Sequence, residues 1–195
     1  MVIARGKIHV DLQSGRFRVR SLDIADATPR WGEWLNDPHA SLMLNARPRR
    51  LEPAELQAYI KNFDQIDNLL LGVFTKDTGQ LIGFGTVEIV DGGHKIIPTV
   101  LIGEPEFRNF GVLSELRDVV AVHFFEVLGF EGAMASVLEH NTIIIHALEA
   151  RGWTLKQRLA KHKKSATGEG FHDLLIFEIA REKWRHYARQ QGLIK

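Results

Sequence analysis

The sequence predicts an α/β protein of the α+β type. It reads as a mixed, mostly antiparallel sheet of about six to seven strands flanked by helices on both faces. Three observations carry this. Apolar runs are joined by hairpin turns at Asp77-Thr78-Gly79 and Asp91-Gly92-Gly93, which pair strands antiparallel. A helical stretch lies between the apolar run 96–103 and the strand-like run 133–138, which calls for one parallel crossover. Between that run and that helix stands Pro105-Glu106-Phe107-Arg108-Asn109-Phe110-Gly111, a turn with an arginine and a glycine.

The elements follow in order. Residues 1–15 read as a short arm or edge strand, and Phe17 to Leu22 alternates as a half-buried strand does. Asp23 caps a helix running through Trp31, Trp34 and Leu35, which Asn36-Asp37-Pro38 breaks. Residues 39–50 are less regular and carry Arg47, Arg49 and Arg50. Glu52-Pro53 suits the first turn of a helix over Leu51 to Phe63, whose Leu56, Tyr59, Ile60 and Phe63 share a face. Strands follow at 69–75, 81–90 and 96–103. A helix from Val112 to about Leu128 repeats Leu113, Leu116, Val120, Phe124 and Val127 at helical spacing, with Gly129 as its cap. A strand at 133–138, a helix at 141–150 and strands at 153–158 and 171–179 complete the sheet. Residues 181–195 contribute a C-terminal surface helix, and the whole 1–195 reads as one domain.

Composition narrows the function classes. The 195 residues are 45% hydrophobic and carry a net charge of +1, which supports a real core and gives no electrostatic case for nucleic acid or membrane partners. There are no cysteines, so thiolate metal sites and a cysteine nucleophile are excluded. No apolar run approaches the ~20 residues that span a bilayer. The N-terminus lacks the pattern of a signal peptide, and a cytoplasmic protein is expected. Of the nine histidines, no pair has metalloprotease spacing. His140 and His146 do not share a helix face, and solvated or packed histidines with no metal are expected.

A strand, a glycine-containing turn and a helix start form an anion site. The first N–H groups of a helix lack internal partners, and the helix dipole is positive there. A pyrophosphate fits that end when the turn lets the backbone approach. Position and company favour phosphate binding by Arg108 and Gly111 over an ordinary arginine and turn glycine, and Glu115 is expected to complement the dipole and point away. The basic run Lys156, Arg158, Lys161, Lys163 and Lys164 reads as a solvated face.

Three motifs in this order resemble the GNAT superfamily of acyl-CoA-dependent N-acetyltransferases, over about Phe17 to Ile179. Residues Pro105 to Glu115 are similar to the family's P-E-Y-R-G-x-G-x-x-T-E. Asn141, followed eleven positions on by Gly152-Trp153, resembles its N-x-x-S, short helix, G-F. Trp34-Leu35-Asn36-Asp37-Pro38 is close to the W-L-x-D-P of the branch acetylating N-termini of ribosomal proteins. The resemblance implies acetyl-CoA as cosubstrate, with its pyrophosphate on Arg108, Asn109, Phe110, Gly111, Val112 and Leu113. It implies that the backbone of Leu101 and Ile102 bonds the pantetheine arm where the fourth and fifth strands splay, with Asn141 near the thiol. A backbone N–H of the fourth strand would meet the developing oxyanion, worth ~3 kcal/mol. The sequence departs from the family at Asn109 and Leu113, where small residues are usual, at Ile144 for serine, and at Leu148, where many relatives place a tyrosine.

Acyl transfer to an amine whose pKa is about 10 requires a proton acceptor. Glu88, Glu104 and His94 are the candidates, each with an ordinary reading as a solvated residue. Glu88 is preferred because a carboxylate within an apolar strand needs a reason. The expected acceptor is a protein N-terminus or a small amine such as an amino sugar. A non-catalytic acyl-CoA-binding module of the same fold is the rival, and pairing through residues 1–15 would make a homodimer.

Overall fold

The computed structural model describes residues 6–108, 111–166 and 168–195. Its frame is an eight-stranded sheet in the order β1-β2-β3-β4-β5-β6-β8-β7. The strands are β1 (Asp11–Gln13), β2 (Phe17–Ser21), β3 (Asn68–Thr75), β4 (Leu81–Val90), β5 (Lys95–Ile102), β6 (Gly132–Leu138), β7 (Thr154–Lys164) and β8 (Phe171–Ala180). The helices are α1 (Pro29–Trp34), α2 (Pro38–Leu44), α3 (Pro53–Lys61), α4 (Val112–Val122), α5 (Thr142–Glu149) and α6 (Arg181–Gln190). Every strand contact is antiparallel except β5–β6. The eighth strand, beyond the expected six to seven, is the β1 edge within residues 6–15.

Period-two alternation sends side chains of the same strands to two different cores. Phe84 and Leu70 meet Trp31, Trp34 and Leu56 of α1 and α3 on one face. Val87, Ile89 and Ile96 meet Leu116 of α4 and Trp184 of α6 on the other. Leu148 of α5 packs on Ala135, Val137 and Phe177 on that second face.

Several boundaries depart from the sequence reading for local reasons. Asp23 caps only a 3₁₀ turn, Ile24–Asp26, and Thr28 caps α1 because Pro29 restarts the chain at a first-turn position. The segment read as irregular contains α2, since Asp37 accepts from the Ala40 N–H and Pro38 fits its first turn. The long helix changes at His123–Val127 to a π-type turn, which brings Phe124 and Phe125 both into the core. β7 runs to Lys164, well past Arg158, as a solvent-facing edge strand whose lysines discourage edge-to-edge pairing.

β5 and β6 diverge. They pair only at Lys95–Gly132 and Ile96–Ala133. The Gly103 N–H bonds the Ile82 carbonyl at 2.9 Å, so by alternation the main-chain groups of Ile97, Thr99 and Leu101 face β4. Those of Ile96, Pro98, Val100 and Ile102 face the gap. Pro98, with no N–H to give, therefore sits on the side that has no ladder to lose.

Candidate acetyl-CoA and acceptor site

A cavity of about 600 Å³ passes through the sheet at this gap. Leu113, Leu116, Ile144 and Leu148 of α4 and α5 line one side, and Thr86, Thr99, Ser136 and Leu174 line the other. Its β5 wall is Ile96, Pro98, Thr99 and Val100. Leu101 and Ile102 are the residues expected to hold the pantetheine arm. Both side chains are buried in the two cores, Leu101 directs its main chain to β4, and the Ile102 carbonyl accepts from Arg108 Nε at 3.2 Å. Val100, two-fifths exposed, carries the free N–H and C=O.

At the turn, Gly111 stands at φ +70° as the residue before α4. A side chain there would be strained by the backbone, although it would meet only Arg16 Nη2 at 4.0 Å. Val112 anchors the first turn in the core, 1% exposed, and Leu113 lies half-buried on the cavity wall. Asn109 and Phe110 lie outside the described residues.

Arg108, expected at the pyrophosphate, is engaged within the protein. Its guanidinium donates to the Ile102 carbonyl, to the Gly103 carbonyl at 2.8 Å and to both oxygens of Asp37 at 3.3–3.4 Å. These bonds commit the fork to holding the end of β5 against the start of α2. Glu104, next to it, is 2% exposed. Its oxygens accept from Arg30 Nε at 2.7 Å and Nη2 at 2.5 Å, and from Trp34 Nε1 at 3.1 Å. The Arg30 hydrogen bonds, helped by Trp34 and outweighing burial, hold its carboxyl below the usual carboxylate range. A carboxylate so engaged is a poor proton acceptor. Gly103 completes the junction, since a Cβ there would fall 1.9 Å from Trp34 Cδ2.

Two of the motifs read from sequence thus touch through Asp37–Arg108, and Trp34 bonds Glu104 just before the second of them. Glu115 is held by Ser14 and Arg16. Burial would raise its pKa, but hydrogen bonds from the Arg16 N–H and the Ser14 and Arg16 side chains outweigh it and lower it.

The other two candidate bases stand apart from the cavity. His94 precedes β5 at its closed, paired end, where Nδ1 lies 3.1 Å from Glu131 Oε1. Glu88 is exposed, so the burial argument for it does not hold. It does share a face with Thr86, which pairs with Thr99 at 2.6 Å between hydroxyls. Asn141 lines the cavity and caps α5, its Oδ1 accepting from the Ile144 N–H at 3.3 Å, which leaves its amide nitrogen to donate. Leu148 is buried, so no phenol occupies that wall.

Sequence reasoning missed three further groups. Asp118 lines the cavity between Arg117 and Arg151, with Arg151 Nε at 3.8 Å. Burial raises its pKa against the pull of both arginines. Asn45, at φ +48°, ties α2 to the β7–β8 hairpin by donating to the Lys164 carbonyl and accepting from the Ala166 N–H, both at 2.9 Å. Arg30 lies outside every motif. Only Pro98, inside an apolar strand, was a sequence signal for where the sheet opens.

An open sheet with a through-gap beside a helix start is the architecture of an acyl-CoA-dependent transferase. Residues 16–154 match the Acetyltransferase (GNAT) domain family, and the chain belongs to it. The family's cosubstrate is acetyl-CoA, and the free main chain of β5 with the Gly111 turn fits it. Among solved structures, a GNAT-family acetyltransferase from Bacillus anthracis is 16% identical, with TM-score 0.74 over 89% of this chain and 99% of that one. The spermidine N-acetyltransferase of Vibrio cholerae, in complex with CoA and spermine, is 18% identical, with TM-score 0.73 over 87% and 98%. Ribosomal-protein-S5-alanine acetyltransferase from Vibrio fischeri is 15% identical, with TM-score 0.71 over 90% and 98%. No functionally curated protein matches the sequence. Among the described residues, no helix is long and apolar enough to cross a membrane.

Proposed function

We propose that this acetyltransferase is an N-acetyltransferase that moves the acetyl group of acetyl-CoA to a primary amine by direct attack in a ternary complex. The observation that carries this reading is the through-sheet cavity: a cosubstrate along α4 and α5 and an acceptor on the α1–α3 face would meet at the gap. When bound, acetyl-CoA supplies an activated acyl group. The Val112–Ser114 N–H groups at the start of α4 would hold its pyrophosphate, the Val100 main chain its pantetheine arm, and the Asn141 amide its thiol end. The Val100 N–H would serve as the oxyanion donor. With no cysteine in the chain, a thioester relay through a thiol is excluded, and direct attack needs no nucleophile from the protein. Glu88 would accept the amine proton through water and the Thr86–Thr99 hydroxyls.

The Trp34–Pro38 motif does not select the acceptor in this reading, because Trp34 and Asp37 are spent on Glu104 and Arg108. The acceptor rim instead carries Lys163 and, nearby, exposed Arg47. A primary amine bearing an acidic group suits these charges better than a polyamine does.

Calorimetric titration with acetyl-CoA, against ADP and CoA, is the first test. Saturable micromolar binding stronger than ADP supports the reading, and its loss in Gly111→Val ties it to the turn. A panel of acidic amines, peptides with free N-termini and polyamines then ranks acceptors. Binding without turnover of any amine would leave an acyl-CoA-binding module, and no binding at millimolar ligand would end the transferase assignment.

A further inference from the structure

The last residues of the β6 arm and the first of β8 gather three side chains outside the transferase machinery. The register sets Leu138 opposite Leu174, and the Glu139 N–H bonds the Asp173 carbonyl at 3.1 Å. Continuing that ladder by one residue puts His140 opposite His172. Their rings meet edge to face, centroids 4.8 Å apart at 66°. Glu139 Oε1 lies 3.4 Å from His172 Nδ1.

Two atoms of this group are anomalous. His140 Nε2 and Glu139 Oε2 are buried without a hydrogen-bond partner. Buried polar atoms are nearly always satisfied, and leaving them bare costs free energy. The nearest further carboxylate does not answer the need. Asp173 accepts from Arg158 Nε at 2.7 Å and from the Lys161 N–H at 2.8 Å. One donor atom from each of Glu139, His140 and His172 lies within 4.8 Å of the others.

We propose that Glu139, His140 and His172 form a binding site for a divalent transition-metal ion of the zinc type. Two imidazoles and a carboxylate are a zinc donor set, with bonds of ~2.0–2.2 Å and water in the fourth position. Two such ligands on a tetrahedral ion stand about 3.3 Å apart, which the Glu139–His172 pair already matches. The wider separations close by side-chain rotation. The ion would give the bare His140 Nε2 its missing partner and tie the β6–α5 turn to the base of the β7–β8 hairpin. By strand rise the site lies ~7 Å beyond Leu138 and Leu174, which line the acceptor side of the cavity. His140 directly precedes Asn141, the cap of α5. The ion therefore braces the rim of the site and takes no part in acyl transfer. The spacing of histidines in sequence conceals the pair, because its members come from different strands.

The test is calorimetric titration of chelator-stripped, untagged protein with Zn²⁺, beside the visible spectrum of the Co²⁺-loaded protein. One equivalent binding saturably at micromolar or lower concentration, a raised melting temperature and tetrahedral-type Co²⁺ bands are expected. His140→Gln and His172→Gln should each weaken Zn²⁺ by more than the ~10–100-fold typical of losing an outer-shell partner. His146→Gln, on exposed α5 surface, should leave it unchanged. Acetyl-CoA affinity in each variant checks its folding. No saturable binding, or binding unaffected by both substitutions, overturns the proposal. If the variants fail to fold, absence of tetrahedral Co²⁺ bands in the unaltered protein overturns it equally.

Discussion

Glu104 and Glu88 show how environment sorts two carboxylates that the sequence offered as candidate bases, with Glu88 preferred for a burial it does not have. Glu104 is closed off by Arg30 and Trp34 and carries structure. Glu104→Gln should lower unfolding free energy by about 1.5–3 kcal/mol, the range for hydrogen bonds to a charged group, as read from urea denaturation. The half-exposed Arg30 recovers part of its loss in water, which keeps the effect below that of a fully buried pair. Glu88 is exposed and lies on the Thr86 side of β4. Glu88→Gln should reduce kcat/KM about 100-fold while leaving acetyl-CoA affinity intact. An unchanged rate would remove Glu88 from the reaction. Apolar neighbours in sequence suggested that Glu88 was buried. The alternation of β4 sends Val87 and Ile89 into one core and turns Glu88 to the opposite face, where it is exposed.

At the scale of elements, the divergence of β5 from β6 decides which backbone groups a ligand can reach. Val100→Pro removes one N–H that faces the gap and serves no ladder. It should weaken acetyl-CoA by about 1 kcal/mol, the net worth of one hydrogen bond, with little change in melting temperature. Leu101→Pro, one residue away, removes a ladder donor to β4 and should destabilise the fold outright. Equal effects from the two would refute the register argument. The sequence marked this strand and the following turn, but not the phase of its hydrogen bonds, which depends on where β4 pairs.

For the whole molecule, depressed carboxylates set the response to acid. Glu104, Glu115 and Glu126 are all held below their ordinary value of 4.5 in the folded chain. For Glu104 and Glu126 the leading cause is an arginine partner, Arg30 and Arg185 respectively. For Glu115 donors at Ser14 and Arg16 overcome its burial. Each binds more protons unfolded than folded, so its contribution is complete above that value and is lost as pH falls through the lowered folded pKa. Asp118, raised by burial, works in the opposite sense and offsets part of this between the two limits. Urea midpoints should hold from pH 7 to about 5 and fall steeply below about 4.5; a flat profile to pH 3 would contradict these pairings.

The sequence by itself determined the order of the strands and of every helix but α2, the single crossover, the glycine turn before α4 and the family. These rest on local signals: periodicity, caps, hairpin turns and contiguous motifs that read the same wherever the chain folds. Tertiary structure alone decided that Arg108 and Glu104 are engaged within the protein, that Val100 rather than Leu101 faces the gap, and that His140 meets His172. Each of these depends on which distant segment a side chain or amide finds as its partner. A hydrogen-bonding group is spent or free only once that partner is in place.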